Sequence, residues 1–459
     1  MTETVKRGPR GVLNMTEGNP YKMIIRFALP VLLSQVFQQL YNTADTYIVG
    51  KFLGTGALAA VSSSGTLIFL ITSLFIGFAM GAGVAISRFF GAGDNEKVSK
   101  AIHTKVAIGL ISSVILTVIG VIFTPTFLRW MNTTEEVMPL AVQYFRYYFW
   151  GIITNMMYNI LKGVLNSVGD SKRPLYYLIF SSLFNIGLDT LFVGVFHWGV
   201  WSAAVATVIS QGVSCILCLV HLMQKGHVYT LEIKKIRIDM EMLKLIIKYD
   251  IPSGVSNSVI AFANVMVQTQ INTFGYQAMA AFGTYSKIEG FAFLPIMSFT
   301  LAITTFVGQN LGAGLKDRAK KGSAFGIITA VIMAEIIGLI FYFLAPFLIA
   351  LFDPTPEVVA MGVTQARTEA LFYCMLAFSH TVAAVCRGAG KAFVPMFVQL
   401  GIWCAFRIGY ILVIMHTLGE IRYVYTAYPV TWSITAIIFL IYFLKSNWVN
   451  GFDKKELSQ

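Results

Sequence analysis

Twelve stretches of this chain are each long and apolar enough to cross a bilayer, at 26–49, 58–87, 102–126, 138–165, 174–195, 199–222, 245–272, 279–308, 323–351, 358–385, 393–417 and 422–444. A transmembrane helix needs about 20 predominantly apolar residues. Unbroken runs such as Val106–Phe123 and Ile327–Phe352 exceed what a soluble core helix carries. Lipid offers no hydrogen bonds, so spanning backbone must pair with itself, and open sheets are excluded. A barrel is disfavoured because strand-length alternation is absent. The sequence therefore predicts an all-α membrane protein with 12 transmembrane helices. Composition agrees: only 12% of the 459 residues are charged, against about 25% in a typical soluble domain. Length, apolarity and a mere five cysteines also exclude disorder, collagen and a disulfide-rich secreted scaffold.

The formal net charge of +12 would suggest nucleic acid if its location were ignored. With the N-terminus on the cytoplasmic side, however, 26 of the 34 Lys and Arg fall at cytoplasmic ends or loops. Only Lys51, Arg129 and Arg422 lie on the other side, and five more sit within spans. This is a positive-inside bias, so the charge encodes topology and no nucleic-acid partner is expected. The reading places the chain in the cell membrane with both termini cytoplasmic. Residues 1–21 are polar and the first apolar stretch is of full spanning length, so no cleavable signal peptide is expected. Cys215 and Cys218 lie inside a span without companion ligands and read as packing residues; the histidines form no ligand pattern.

A shift of 221 positions aligns the two halves without a gap from Gly54 to Pro174. Gly54/Gly275, Gly91-Ala92-Gly93/Gly312-Ala313-Gly314, Pro125/Pro346, Arg146/Arg367, Gly169/Gly390 and Pro174/Pro395 coincide, and Pro30 matches Pro252 after a one-residue slip. Glycine, proline and arginine in register through successive loops mark an internal repeat. Six spans per repeat give both halves the same orientation, so two six-helix bundles related by a pseudo-two-fold axis along the membrane normal are expected. The predicted organisation is an N-lobe at 1–222, a polar, basic cytoplasmic linker at 223–244 and a C-lobe at 245–459. Two such lobes can rock, which is the physical basis of alternating access.

Ionisable residues inside a span mark functional sites, because burying them is costly. Five acids qualify: Asp45, Asp189, Glu289, Glu335 and Glu369. Asp189 maps to Tyr410, and Asp45 to Met266 or Val267, so the framework repeats while its acids do not. On the first span Gln35, Gln38, Asn42 and Asp45 share a helical face. On the fifth, Ser181, Asn185 and Asp189 stand one turn apart; on the fourth, Asn155, Asn159, Lys162 and Asn166 form a stripe. These faces must turn inward. Two carboxylates among amides can hold and release a proton, or with amide oxygens can coordinate Na⁺.

The second half differs. The seventh span carries Asn257, Asn264, Gln268 and Asn272 at helical spacing but no acid after Asp250, and the eighth has Lys287 and Glu289. Glu289 either attracts a cationic substrate or pairs with Lys287. The tenth puts Glu369, Tyr373 and His380 on one face. Gln35, Asn42, Asn155, Asn264, Gln268 and Glu289 are the candidate substrate contacts. With 19 Met and 36 Phe the chain has material for adaptable, cation-attracting surfaces. No nucleophile, base or metal constellation of an enzyme is visible, and the longest loop, at 223–244, is too short for a receptor's signalling domain.

Several motifs in order resemble the multidrug and toxic compound extrusion (MATE) family over roughly residues 20–445. They are Pro30, Asn42-Thr-Ala-Asp45-Thr-Tyr-Ile-Val-Gly50, Gly54–Ala60, Gly91-Ala-Gly93, Asn166-Ser-Val-Gly169-Asp170, Asn185-Ile-Gly-Leu-Asp189, Gly308-Gln-Asn-Leu-Gly312-Ala-Gly314 and Arg387-Gly-Ala-Gly390. The resemblance implies a V-shaped transporter of two six-helix lobes, without a cofactor, exporting organic, often cationic, compounds by antiport with H⁺ or Na⁺. It implies a cation site at Asp45, Asn185 and Asp189, with Gln38 and Asn159 as neighbours, and bending of the first helix at Pro30. The seventh span lacks the acid of the branch whose Na⁺ site is in the second lobe. The leading expectation is a monomeric, proton-coupled multidrug exporter whose partners are small organic cations and membrane lipid. The alternatives are Na⁺ or dual-ion coupling, and a lipid-linked precursor flippase, against which the scarcity of in-span cations counts.

Overall fold

The computed structural model describes residues 12–450 except 131, 132 and 134, and the side chains of 55, 58, 59 and 62–82 lie outside that description. Twelve helical spans run in chain order: α1 (Pro20–Gly54) and α2 (55–92), α3 (Asn95–Trp130), α4 (138–167), α5 (Lys172–Val195) and α6 (Trp201–Met223). After a basic linker come α7 (Met240–Asn272), α8 (Tyr276–Gly312), α9 (Lys316–Ala350), α10 (Pro356–Gly388), α11 (Phe393–Thr417) and α12 (Ile421–Lys445). No strand occurs among the described residues. The 36 residues of α3 measure about 54 Å at 1.5 Å each, longer than the roughly 30 Å hydrocarbon layer. Its polar ends therefore project beyond the apolar stretch that marks it in the sequence.

The helices are amphipathic inside out. On α9, Ile328, Ile332, Ile336, Leu339, Phe343 and Phe347 are exposed, while Gly322, Ser323, Gly326, Ala330, Ala334 and Gly338 are buried. The bulky face suits lipid tails, and the small-residue face lets neighbouring helices approach closely. A methyl group at Gly338 would lie 2.3 Å from the carbonyl oxygen of Ala370, which fixes how tightly α9 meets α10.

The chain divides into two compact units, one built on Leu29–Asp250, the other on Ile251–Gln459 with Met15–Ala28. α1 and α7 each change unit next to a proline, Pro30 and Pro252. Proline removes one helical hydrogen bond. At both kinks a serine one turn on donates to the proline's own carbonyl, Ser34 at 2.9 Å and Ser256 at 2.8 Å. Within the second unit, Met15 is pinned through its N–H to Gln309 Oε1 at 3.0 Å and through its carbonyl by Asn310 Nδ2 at 3.1 Å.

The internal repeat is visible in backbone geometry. Gly54 and Gly275 end α1 and α7 at φ 83° and 96°, with ψ −176° and −175°, a region that L side chains rarely enter. The α2–α3 and α8–α9 turns use one pattern: Asp94 N–H bonds Phe89 O as Leu315 N–H bonds Asn310 O. The turns after α4 and α10 match likewise, Asp170 to Leu165 and Lys391 to Cys386. The sequence gives no sign that both fourth helices are broken. α4 breaks at Gly151 and α10 passes through a 3₁₀ turn at Ala370–Phe372, the corresponding repeat position. In the second unit Glu335 of α9 receives the N–H of Cys374 just past that break, at 3.1 Å, which gives this in-span acid a structural partner.

Candidate functional site

In the first unit α5 aims one buried stripe inward: Ser181, Asn185 and Asp189 are sealed, while Phe180, Leu183 and Phe184 are exposed. From α1, Asp45 is only 8% exposed and meets Asp189 carboxyl to carboxyl. The α-helix gives way to a π-helical turn, Thr190–Val195, directly after Asp189. Such turns shift side chains out of the regular register and recur at functional sites. Two tyrosines lie within electrostatic reach of the pair, Tyr41 from α1 and Tyr144 from α4, and Tyr148 packs beside Tyr144 with rings 6.3 Å apart and nearly parallel. The amide of Gln211, from α6, sits beside the Tyr41 hydroxyl. None of these four polar neighbours was among the sequence candidates. The signals were the one-turn spacing of Tyr144 and Tyr148 and a lone glutamine in an apolar span.

What the pair lacks decides its chemistry. Both oxygens of Asp189, Oδ1 of Asp45 and both amide atoms of Asn185 are buried without a hydrogen-bond partner. Among the described residues no lysine, arginine or histidine forms an ion pair with either carboxylate. Ionised carboxylates only accept, so two in contact offer each other no donor and repel, and a proton on one or a cation between them relieves both. A proton or a small hard cation fits that requirement, and Asn185 Oδ1 is a further oxygen ligand.

The other first-unit candidates lie farther out. Gln38 is half-buried and donates to exposed Asn42 at 3.5 Å. Asn159 folds back on Asn155, with Nδ2 2.9 Å from its carbonyl and 3.2 Å from its side-chain oxygen. Gln35 is half-buried. No described hydrogen bond joins Gln38 or Asn159 to either aspartate. Lys162 stacks on Tyr158, its Nζ 5.5 Å from the ring centre.

The second unit holds a buried cation near its acids, although Glu289 Oε1 and Glu369 Oε2 are themselves buried without a hydrogen-bond partner. Arg407 of α11, fully buried, follows a π-helical stretch at Leu400–Phe406 and lies between the rings of Trp403 and Tyr428, at 5.0 and 4.7 Å. Its Nη2 donates to Thr431 Oγ1 at 2.7 Å and its Nη1 to Asn264 Oδ1 at 3.4 Å. Glu289 and Glu369 lie within its electrostatic reach. Glu369 also accepts from Gln365 at 2.9 Å, and Tyr285 and Tyr373 share a hydroxyl contact of 2.8 Å beside it. Lys287 is exposed, so the charge facing Glu289 is Arg407, not Lys287. Gln268 bonds Asn272 at 2.7 Å, away from this cluster. No group of three metal-ligating side chains occurs among the described residues.

The MatE family model matches residues 30–191 and 252–411, one match in each half of the repeat and together more than half of the chain. The chain belongs to the MATE family. Like other MATE proteins it is a transporter and not an enzyme. A curated relative, the probable multidrug resistance protein YoeA of Bacillus subtilis, is 28% identical over 91% of this chain and 92% of its own length. The FAD transporter of Shewanella oneidensis is 25% identical over 73% of this chain and 75% of its own. A solved structure described as an outward-facing multidrug resistance MATE-family transporter superposes with TM-score 0.89 at 24% identity, covering 97% of this chain and all of that one. This likeness carries the fold, twelve spans in two six-helix bundles.

Proposed function

We propose that this MATE transporter is a secondary active multidrug exporter of the cell membrane, driven by H⁺ bound at Asp45 and Asp189. One observation carries the reading: two buried carboxyls meet each other with no cation in reach among the described residues, whereas Glu289 and Glu369 of the second unit have the buried Arg407 within electrostatic reach, although no ion pair joins them. The exchangeable positive charge therefore belongs to the first unit. A proton on the pair lets one carboxyl donate to the other; its release leaves two like charges in contact. That change bends α1 at Pro30, where the ladder is already one hydrogen bond short. Lipophilic, often cationic, organic compounds leave in exchange by alternating access. The membrane potential supplies about 2.3 kcal/mol per charge per 100 mV, so each extra proton entering adds useful drive. The basic loops lie on the cytoplasmic side in this reading, and the transporter works as a monomer.

A second reading, Na⁺ coupling at the same site, is favoured by the unpartnered Asn185 Oδ1, which completes an oxygen set with the two carboxylates. Fluorescent-cation efflux from everted vesicles, with a proton gradient and a sodium gradient imposed separately, decides between them. Export under the proton gradient alone is expected. Export under sodium alone moves the site to the second reading, and export under neither overturns both. Because one relative carries an FAD transporter's name, FAD is the informative competitor in the same assay.

A further inference from the structure

Outside the spans, the linker before α7 is more ordered than its polarity suggests. His103, near the start of α3, is fixed in one tautomer: Nδ1–H donates to Ser99 O at 2.7 Å, and Nε2 accepts the N–H of Glu232 at 3.0 Å. Thr104 takes the N–H of Asp239 at 3.1 Å, and Asp239 Oδ1 caps α7 through the N–H groups of Glu241 and Met242. Beside these bonds lies a groove of about 310 Å³ whose lining carries Lys100, Lys234, Lys235 and Arg237 with Ser99, His103, Thr104 and one acid, Asp239. The groove is strongly basic. Of the acids near it, Glu96 is engaged by Lys100 at 2.7 Å, Glu232 by Lys235 at 2.6 Å and Asp239 by the helix start, while Glu241 lies within electrostatic reach of Lys100, so the basic side chains outnumber the free acid. Exposed pairs of that kind are weak and leave both lysines available. Among the described residues Lys234 and Arg237 have no acidic partner.

Charge alone fits any phosphate. The second observation is the apolar fringe: Ile233 and Ile238 bracket Lys234, Lys235 and Arg237, Met240 follows between Asp239 and Glu241, and all three apolar residues are exposed, Met240 by 68%. Large apolar side chains beside lysine and arginine at the mouth of two membrane helices belong in the headgroup–acyl boundary, where the chains meet lipid tails and the cations meet phosphate. We propose that this groove is a binding site for one anionic phospholipid, its phosphate held by Lys234, Arg237, Lys100 and Lys235 and its acyl chains laid against Ile233, Ile238 and Met240. A bound lipid there ties the linker to α3 and adds to the hold of His103 and Thr104.

Native mass spectrometry of the full chain in detergent, with phosphatidylglycerol or phosphatidylcholine of identical acyl chains added, tests this. Wild type should retain one phosphatidylglycerol in preference to phosphatidylcholine. The Lys234→Gln/Arg237→Gln variant should lose that preference by on the order of tenfold or more, given the loss of two interfacial cations. Millimolar inorganic phosphate should not displace the lipid, and Ile233→Ser/Met240→Ser should weaken phosphatidylglycerol binding. Equal retention of both lipids by wild type, unchanged preference in the lysine–arginine variant, or displacement by phosphate overturns the proposal. Should the double variant not fold, salt titration of wild type decides: retention that falls as salt rises supports the site, and flat retention sinks it.

Discussion

Lys105 Nζ lies 2.6 Å from Asp250 Oδ2, with both side chains almost wholly sealed from solvent. The pair fastens the base of α7 to α3 within the first unit, beside Arg88, which reaches the Tyr249 hydroxyl at 3.4 Å. Removing one partner leaves a buried charge, which costs about 3–5 kcal/mol; replacing both by apolar groups of similar volume is often close to neutral. Asp250→Leu should lower the melting temperature in detergent markedly, and Lys105→Met/Asp250→Leu should recover most of the loss. Additive losses in the double variant would show that the two groups do not act as a pair.

At the candidate site the expectation reverses. Asp45→Asn and Asp189→Asn remove a carboxylate that has no positive partner, so neither should lower stability by more than about 1 kcal/mol. Each should nevertheless abolish substrate-driven proton movement in proteoliposomes loaded with a pH-sensitive dye. A melting curve close to wild type with no proton signal is the expected combination; wild-type proton movement in either variant would remove the pair from the coupling step.

Arg407 is the buried cation within electrostatic reach of Glu289 and Glu369, so Arg407→Met should destabilise by about 3–5 kcal/mol, as uncompensated buried charges do. Adding Glu369→Gln should restore part of the loss, because one of the two stranded carboxylates is then neutral. A thermal double-mutant cycle measures the coupling, and independence of the two substitutions would place Arg407 and Glu369 in separate environments.

Two glycine substitutions separate strain from collision. Nothing lies within 4 Å of a methyl group placed on Gly275, so Gly275→Ala meets only the backbone penalty of its positive-φ, extended conformation, about 1–3 kcal/mol. At Gly169 the same methyl would sit 2.1 Å from the carbonyl of Leu13, against backbone that cannot rotate away. Gly169→Ala should therefore melt at a clearly lower temperature than Gly275→Ala, and equal melting points would contradict the close approach.

Much of this was legible in the sequence because membrane insertion imposes crude, long rules. Twelve spans follow from run length, and the repeat from glycines and prolines whose backbone roles recur at Gly54 and Gly275. Asp45 and Asp189 stood out because few charges enter the spans at all. Their tyrosine neighbours did not, since Tyr41 and Tyr144 come from different helices and tyrosine is common in lipid-facing sequence. Lys287 looked like a partner for Glu289 by proximity in the chain, yet residues two apart on a helix point to different sides. Arg407 was visible as an in-span cation, but its hydrogen-bond partners come from α7 and α12 and the acids in its reach from α8 and α10, and only packing brings them to it. The helix breaks at Gly151 and Ala370–Phe372 carry no proline and arise from tertiary contacts such as the one at Gly338.

Because α1 and α7 each begin in one unit and continue in the other, and Leu13 ahead of α1 bonds Gly169 of the first unit, the boundaries that keep native contacts together fall at 14/15, 28/29 and 250/251. A chimera with a relative spliced in the polar stretch between α6 and α7 would look conservative on the page. It would still give each hybrid lobe a foreign helix base: Asp250 would meet another protein's residue in place of Lys105, and Met15 another's in place of Gln309. Crossovers placed at the two prolines, with a third between Asn14 and Met15, would exchange whole cooperative blocks, and these are the seams along which the gene can be recombined.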